Sequence, residues 1–446
     1  MPIIASRRTF LKASLAATGL LLSACEPTAI APAATAGSGA EVEALLYVGY
    51  PLDEARIEAI GLFKRIAPDL DIEAIEIASA WNDMQVQVGA VLASGNRIDL
   101  LPIATHGLPR LWASSGQLLD LHPWLADALS LAAKGFPPAL LQAYAWGEAQ
   151  YGLPLEFVSH AVLLNRTVFA EAGQPLPGAT WTWQDCLELS YALTRRGGSD
   201  ATWGWGTELD VAGAEHWLWA NGGPGLFDRS AADFANPTAS HKANGSALAW
   251  LSQMWLVHKV APGPEQLRSR TPASLKLAGQ LAMWMASSQD VRLLEDQRDR
   301  VDWEAVSVPK AHADGPSATM VWSTGLAVAS GTRFPDEAAR LLAHMTTGEG
   351  AARMARDSAH PVAGRPDLWL TDERRARGGS VFVDLPRTAD RVGDNSLGSN
   401  HRELLETVVE PNWKAVFEGA VLPETALATM DDQLTASIRN ARLPQV

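Results

Sequence analysis

Between Ala44 and Ile103 the chain reads ALLYVGYPLDEARIEAIGLFKRIAPDLDIEAIEIASAWNDMQVQVGAVLASGNRIDLLPI, and this stretch decides the fold class. Ala44–Gly49 is a short apolar run suited to a buried strand. Asp53 can cap a helix that carries Ile57, Ile60, Phe63 and Ile66 on one side and is stopped by Pro68. Leu70–Ile77 alternates as a strand, and Met84, Val88 and Val91 recur at helical spacing before Gly95. Ile98–Ile103 is again a continuous apolar run, as a strand covered on both faces requires. Strands separated by single helices predict right-handed crossovers and a parallel sheet, an α/β class.

The same style continues outward from this stretch. Tyr151–Leu164 reads as extended chain, and Thr182 with Asp185 makes a capping-box start to a helix through Leu193. Met320–Ala329 is strand-like. Pro335–Thr346 is an amphipathic helix presenting Ala338, Leu341, Leu342 and Met345, and Pro423–Leu443 is another helix. No tandem repeat and no sharp change of composition marks a boundary, which predicts lobes built from interleaved segments. The 446 residues are enough for two or three domains, and 47% apolar with 19% charged residues is a globular composition. Lys and Arg number 36 against 50 Asp and Glu, for a net charge of −14. That balance argues against nucleic acid or an anionic membrane surface as the main partner, and is compatible with a small neutral ligand. Trp outnumbers Tyr 17 to 5, an excess that a functional reading has to explain.

The N-terminus says where the protein works. Ser6-Arg7-Arg8-Thr9-Phe10-Leu11-Lys12 is a twin-arginine export signal, and Ala13–Leu22 has the length of a signal h-region rather than a stable membrane anchor. Leu22-Ser23-Ala24-Cys25 looks like a lipobox: cleavage would remove residues 1–24 and leave Cys25 for lipid attachment. Residues 25–40, rich in Ala, Pro, Thr, Ser and Gly, form a flexible tether. The expected location is the periplasmic or extracellular face of the cell membrane. With Cys25 lipidated, Cys186 has no partner and is expected as a small buried thiol. There is no Cys-x-x-Cys, no His-Glu-x-x-His, no Gly-x-Gly-x-x-Gly after a strand and no Gly-x-Ser-x-Gly, so no metal or other cofactor is expected.

Motifs spread over the mature chain then resemble one family, the sugar-type extracellular solute-binding proteins of ABC importers, which include maltose-binding protein. Phe63–Leu70 is similar to its helix ending in a proline before a strand, and Leu92-Ala93-Ser94-Gly95 with Ile98-Asp99-Leu100 to its small-residue turn. Gly116–Leu121, Tyr151-Gly152-Leu153-Pro154 with Leu163-Leu164-Asn165 and Phe169, Thr180–Trp183, and Asn221-Gly222-Gly223 with Leu226-Phe227-Asp228 continue the match in order. Gly279 with Ala282-Met283-Trp284, Gly325–Val328 with Pro335–Ala339, and Gly419–Leu427 complete it. Departures lie at Tyr50, at Leu163-Leu164, where the family has aromatics, and at Trp322-Ser323-Thr324-Gly325, which lacks a Gly-Gly pair. The resemblance implies a two-lobed periplasmic-binding-protein fold, each lobe a mostly parallel sheet flanked by helices, joined by a hinge crossed several times. Residues 41–154 with about 308–345 would form the N-terminal lobe, and 155–307 with about 346–446 the C-terminal lobe. Its partners would be a carbohydrate, the permease subunits of an ABC importer and, through them, an ATPase. The receptor itself would be a monomer that catalyses nothing.

A sugar offers apolar C–H faces and an edge of hydroxyls, so its site needs planar aromatics together with carboxylates, amides or Arg. Residues following the predicted strands supply these: Tyr50, Trp81 and Asn82, and His106. Glu156 sits just past Tyr151–Pro154, either accepting sugar hydroxyls or pairing with an Arg. Trp217 and Trp219 precede Asn221, Trp284 follows the Ala-Met run, and Trp322 stands at the start of a strand. Trp181, Trp183, Trp203 and Trp255 are expected to fill core. No Arg cluster accompanies the candidates, which favours a neutral ligand over phosphate. The alternatives are the same fold binding a polyol, glycerol phosphate, peptide or metal complex, and an exported carbohydrate-active enzyme.

Overall fold

The first apolar run forms β1 (Leu45–Gly49), and Asp53 caps α1 (Glu54–Phe63) by accepting from the Arg56 backbone N–H. Then come β2 (Ile72–Glu76), α2 (Trp81–Ala93), β3 (Leu100–Ala104), α3 (Leu108–Ser114) and α4 (Pro138–Gln142). The middle of the chain supplies the long β4 (Leu153–Asn165), α5 (Trp183–Leu193), β5 (Trp203–Trp205), α6 (Val211–Ala220), α7 (Lys242–Leu256), β6 (Leu281–Ser287) and β7 (Trp303–Val306). The second long strand, β8 (Ala318–Val328), precedes α8 (Pro335–Thr346), α9 (Glu349–Ala355), α10 (Val381–Thr388) and β9 (Arg391–Gly393). The computed structural model describes residues 44–49, 51–76, 81–105, 108–125, 135–197, 201–207, 211–228, 236–297, 300–394 and 401–442. The export signal, Cys25, the tether, Tyr50 and His106 lie outside these residues, and only the backbone of Trp81 and Asn82 is described.

Among the described residues nine strands form one mixed sheet in the order β2-β1-β3-β8-β4-β6-β5, with β9 added beside β8 and β7 beside β4. β1 runs parallel to β2 and β3, as the alternation of strands and helices predicts. β8 and β4 are antiparallel to each other, and each serves two cores. Leu153, Leu155, Leu326 and Val328 pack with α1 and α8 in an N-terminal core. Ala161–Leu164, Ala318 and Met320 belong to a C-terminal core rich in tryptophan. The lobes are therefore two ends of one sheet, and the two long strands are the crossings. The N-terminal core also takes in Ala351, Met354, Ala355 and Val362, beyond the boundary near 345, because the chain returns to the other lobe only after α9.

α1 ends before the apolar spacing suggested. The N–H groups of Arg65 and Ile66 bond back three residues to Leu62 and Phe63, a tight turn that leaves Ile66 57% exposed. The helix buries Ala55, Arg56, Ala59, Ile60 and Phe63, a face centred one position from the expected one. In the C-terminal lobe the Thr182–Asp185 capping box is present. Trp183 stacks on Trp250 with ring centroids 4.6 Å apart, and Trp217 meets Trp205 edge-on at 5.7 Å. Much of the tryptophan excess is thus a packing device, since each ring buries a large apolar area. The Asn221-Gly222-Gly223 turn has a steric cause. Gly222 takes φ +75°, and a Cβ on Gly223 would stand 2.2 Å from Asn244 Oδ1. Cys186 is free and fully buried, and burial pushes its thiol pKa well up. Among the described residues no helix is long and apolar enough to cross a membrane.

Candidate functional site

Because β1, β2 and β3 are parallel, their C-terminal ends share one edge of the N-terminal lobe, the edge at which open α/β sheets bind ligands. The end of β3 is fastened to β8 there: Thr105 N–H donates to the Ser323 carbonyl at 3.1 Å, and Thr105 Oγ1 accepts from Ser323 N–H at 3.2 Å. Next along β8, Trp322 is half-buried, and its ring meets that of His360 at 6.3 Å and 60°. Trp322 thus stands where β8 passes between the lobes, level with the strand ends.

Next to His360 lies an ionic cluster centred on the buried Arg56 and Glu156. Arg56, on α1, donates from Nη2 to Glu156 Oε2 and from Nη1 to Asp53 Oδ2 at 2.6 Å. Ser358 Oγ donates to the other Glu156 oxygen and accepts from the His360 backbone N–H at 3.0 Å. Burial pushes the Glu156 carboxyl up, but Arg56, His360 and the two hydrogen bonds outweigh it and hold the pKa below its ordinary value. For Arg56 the order is the same: burial opposes its charge, and Glu156 and Asp53 win. Burial, with Arg56, keeps His360 below the usual imidazole range despite Glu156 nearby. Its Nδ1 is buried, with no partner among the described residues. The result is a neutral imidazole beside an indole, next to a guanidinium shared between two carboxylates, Glu156 and Asp53.

The sequence-predicted residues divide. The strands preceding Tyr50 and His106 end at the same C-terminal edge of the parallel strands, and α2 begins at Trp81. Trp322 lies at the crossing. Glu156 is occupied inside the protein, its oxygens taken by Arg56 and Ser358, which is the pairing alternative rather than the hydroxyl-accepting one. Trp217, Trp219 and Trp284 are 0%, 4% and 1% exposed and pack in the C-terminal core, which corrects their expected place on the cleft wall. The physical reason is position: Trp284 lies on a central strand between β4 and β5, and Trp217 closes the Trp183–Trp205–Trp250 cluster. His360 and Ser358 were missed, because nothing local marks a segment paired to β4 across about two hundred residues. A depression of about 400 Å³ lined by Pro175, Leu176, Trp181, Asp185 and Glu188 lies at the start of α5, and none of the predicted site residues borders it. Among the described residues no three His, Cys, Asp or Glu side chains are grouped to hold a metal ion.

Two lobes at the ends of one sheet, with an aromatic at the crossing, define the class of two-lobed solute receptors. The family model of the bacterial extracellular solute-binding proteins matches residues 49–352, and the chain belongs to that family. No curated protein sequence matches it. Its fold is similar to that of an ABC substrate-binding protein of Listeria monocytogenes in complex with cycloalternan, at 20% identity and TM-score 0.72 over 89% of this chain and 98% of that one. It is also similar to an ABC transporter solute-binding protein of Thermotoga lettingae bound with α-D-tagatose (16%, 0.68, 89% and 99%). A third is UgpB of Mycobacterium tuberculosis in complex with glycerophosphocholine (17%, 0.71, 91% and 100%).

Proposed function

We propose that this protein is a lipid-anchored receptor that captures a sugar between its lobes and delivers it to an ABC importer, breaking no bond in the solute. The observation that carries the reading is Trp322 at the crossing beside the neutral His360, with the neighbouring Glu156 carboxylate already paired to Arg56 inside the protein. An indole face suits the C–H face of a sugar ring, and an uncharged imidazole suits its hydroxyls. Tyr50, Trp81, Asn82 and His106 complete the N-terminal wall in this reading, since each follows a parallel strand. The cycloalternan and tagatose named for two structural neighbours agree with it, and the glycerophosphocholine of the third makes a phosphodiester the competing solute. Cys25 carries the lipid, and the folded part acts as a monomer.

The test is a thermal-shift screen against mono- and oligosaccharides, polyols, glycerophosphodiesters and small anions. A solute that binds only the folded state raises the melting temperature by mass action. A shift with one sugar group, and full recovery of that sugar unchanged, supports the reading. A shift confined to glycerophosphodiesters or anions keeps the receptor and replaces its solute, and consumption of the sugar makes it an enzyme.

A further inference from the structure

Glu156 occupies a singular point in the sheet. The register between β4 and β8 shifts here, Thr324 facing Glu156 while Gly325 faces Pro154, so Leu155 is the extra residue of a bulge. Bulges bend a strand and sharpen its twist. On the N-terminal side of the bulge the two strands are pressed together, since a Cβ on Gly325 would stand 2.5 Å from the Leu153 carbonyl. A third segment, residues 358–363, lies along β4 at the same level. Phe157 N–H donates to the Pro361 carbonyl at 3.0 Å, and Ala363 N–H to the Leu155 carbonyl at 2.9 Å. The Glu156 carboxylate reaches both ways from this point, to Arg56 on α1 and to Ser358 at the head of the third segment.

A buried ion pair is weak evidence for stability, because apolar residues of similar volume generally do as well or better. Its presence at a bend therefore calls for a geometric role. We propose that the Glu156 carboxylate is the fixed pivot of lobe closure. It clasps β4 to α1 and to the third segment, so that the lobes reorient about Phe157–Ser159 and Trp322 and do not slide along the crossings. Glu156 then acts as a positioning residue, setting how often the lobes reach the arrangement that binds solute. Apparent affinity scales with that population. The inference rests on a receptor whose lobes close, and not on the solute being a sugar.

The experiment measures interlobe distances in the ligand-free protein. Spin labels go on Val86→Cys in α2 and Val257→Cys at the end of α7, positions 62% and 64% exposed, in the full chain carrying Cys25→Ser. The double variant Arg56→Met/Glu156→Leu removes the clasp and leaves no buried charge, only the solvent-accessible Asp53 carboxylate, which still caps α1, and it decides the matter. Its distance distribution is expected to widen and shift, the ratio of lobe arrangements changing roughly tenfold or more, as the loss of hydrogen bonds to charged groups implies. Should that variant fail to fold, Ser358→Ala, which removes a single hydroxyl, decides instead by the same criterion. Thr182→Ala, a cap in the C-terminal lobe, serves as the control that lowers stability and leaves the distribution in place. A distribution superposable on the parent's overturns the pivot, whatever happens to the melting temperature. The readout needs no solute, so a failed sugar screen leaves it standing, and its own failure leaves the sugar reading standing.

Discussion

His216 lies wholly buried on α6, with neither ring nitrogen hydrogen-bonded among the described residues. Burial, assisted by the nearby His160, holds its imidazole well below the ordinary value, so the folded protein keeps it neutral. The unfolded chain takes up that proton as pH falls through about 6.5. Below that pH the unfolded state binds more protons, so the stability is complete above it and is lost as pH falls toward the folded-state value. A single group of this kind gives a slope of about 1.4 kcal/mol per pH unit in the window. His344 and His360, lowered first by burial, act in the same direction. Urea unfolding at about pH 7.5 and about pH 5.5 measures the loss, which should be smaller in His216→Phe; an equal slope in that variant means the ring titrates normally in the fold. Two tryptophans test the proposed division between site and core. Trp322→Ala should weaken solute binding about tenfold, a loss of roughly 1.4 kcal/mol, with the melting temperature little changed. Trp217→Ala, which empties a packed cluster, should cost roughly 3–5 kcal/mol of stability. Calorimetry on both variants checks the contrast, and a Trp322→Ala protein that binds normally removes Trp322 from the site.

The helix α5 shows what an element owes to local sequence. Thr182 Oγ1 accepts from the Asp185 N–H at 3.3 Å, and Asp185 Oδ2 accepts from the Thr182 N–H at 2.7 Å. Thr182→Ala should therefore cost about 1 kcal/mol, seen as a lower urea midpoint with an unchanged slope. A changed slope would show that the cap matters to more than its helix. This box, the helix Pro335–Thr346 and the strands around Leu45, Ile72 and Leu100 were legible because spacing and capping act within a few residues. The end of α1 was not, because Pro68 marks where a helix must have stopped and the turn at Lys64–Ile66 stops it sooner. The tryptophans were legible only as apolar side chains near turns. Trp217 and Trp322 look alike in sequence, and a cluster of distant rings decides one while a strand crossing decides the other. The same holds for Glu156, whose partners Arg56 and Ser358 lie 100 and 202 residues away. The resemblance to the receptor family supplied the two lobes and the cleft; it could not say that a carboxylate at the hinge was already taken.

At the scale of the whole molecule, the interleaving of lobes and the character of the N-terminus bear on one question, how the receptor is held near its importer. The folded part carries an excess of acidic side chains, and among the described residues it has no helix fit to cross a membrane. An acidic body gains nothing from an anionic leaflet, so membrane residence in this reading rests on the lipid at Cys25. In this reading the chain between Cys25 and residue 40 links the lipid to the folded part and takes no part in binding the solute. Tether and cleft are then independent, one setting location and the other affinity. Cys25→Ser should move the protein from the membrane fraction to the soluble exported fraction and leave its solute dissociation constant unchanged, as fractionation and titration of the released protein will show. A Cys25→Ser protein that still sediments with the membrane would mean that the folded part has its own membrane contact, and the lipid reading of Leu22-Ser23-Ala24-Cys25 would fall with it.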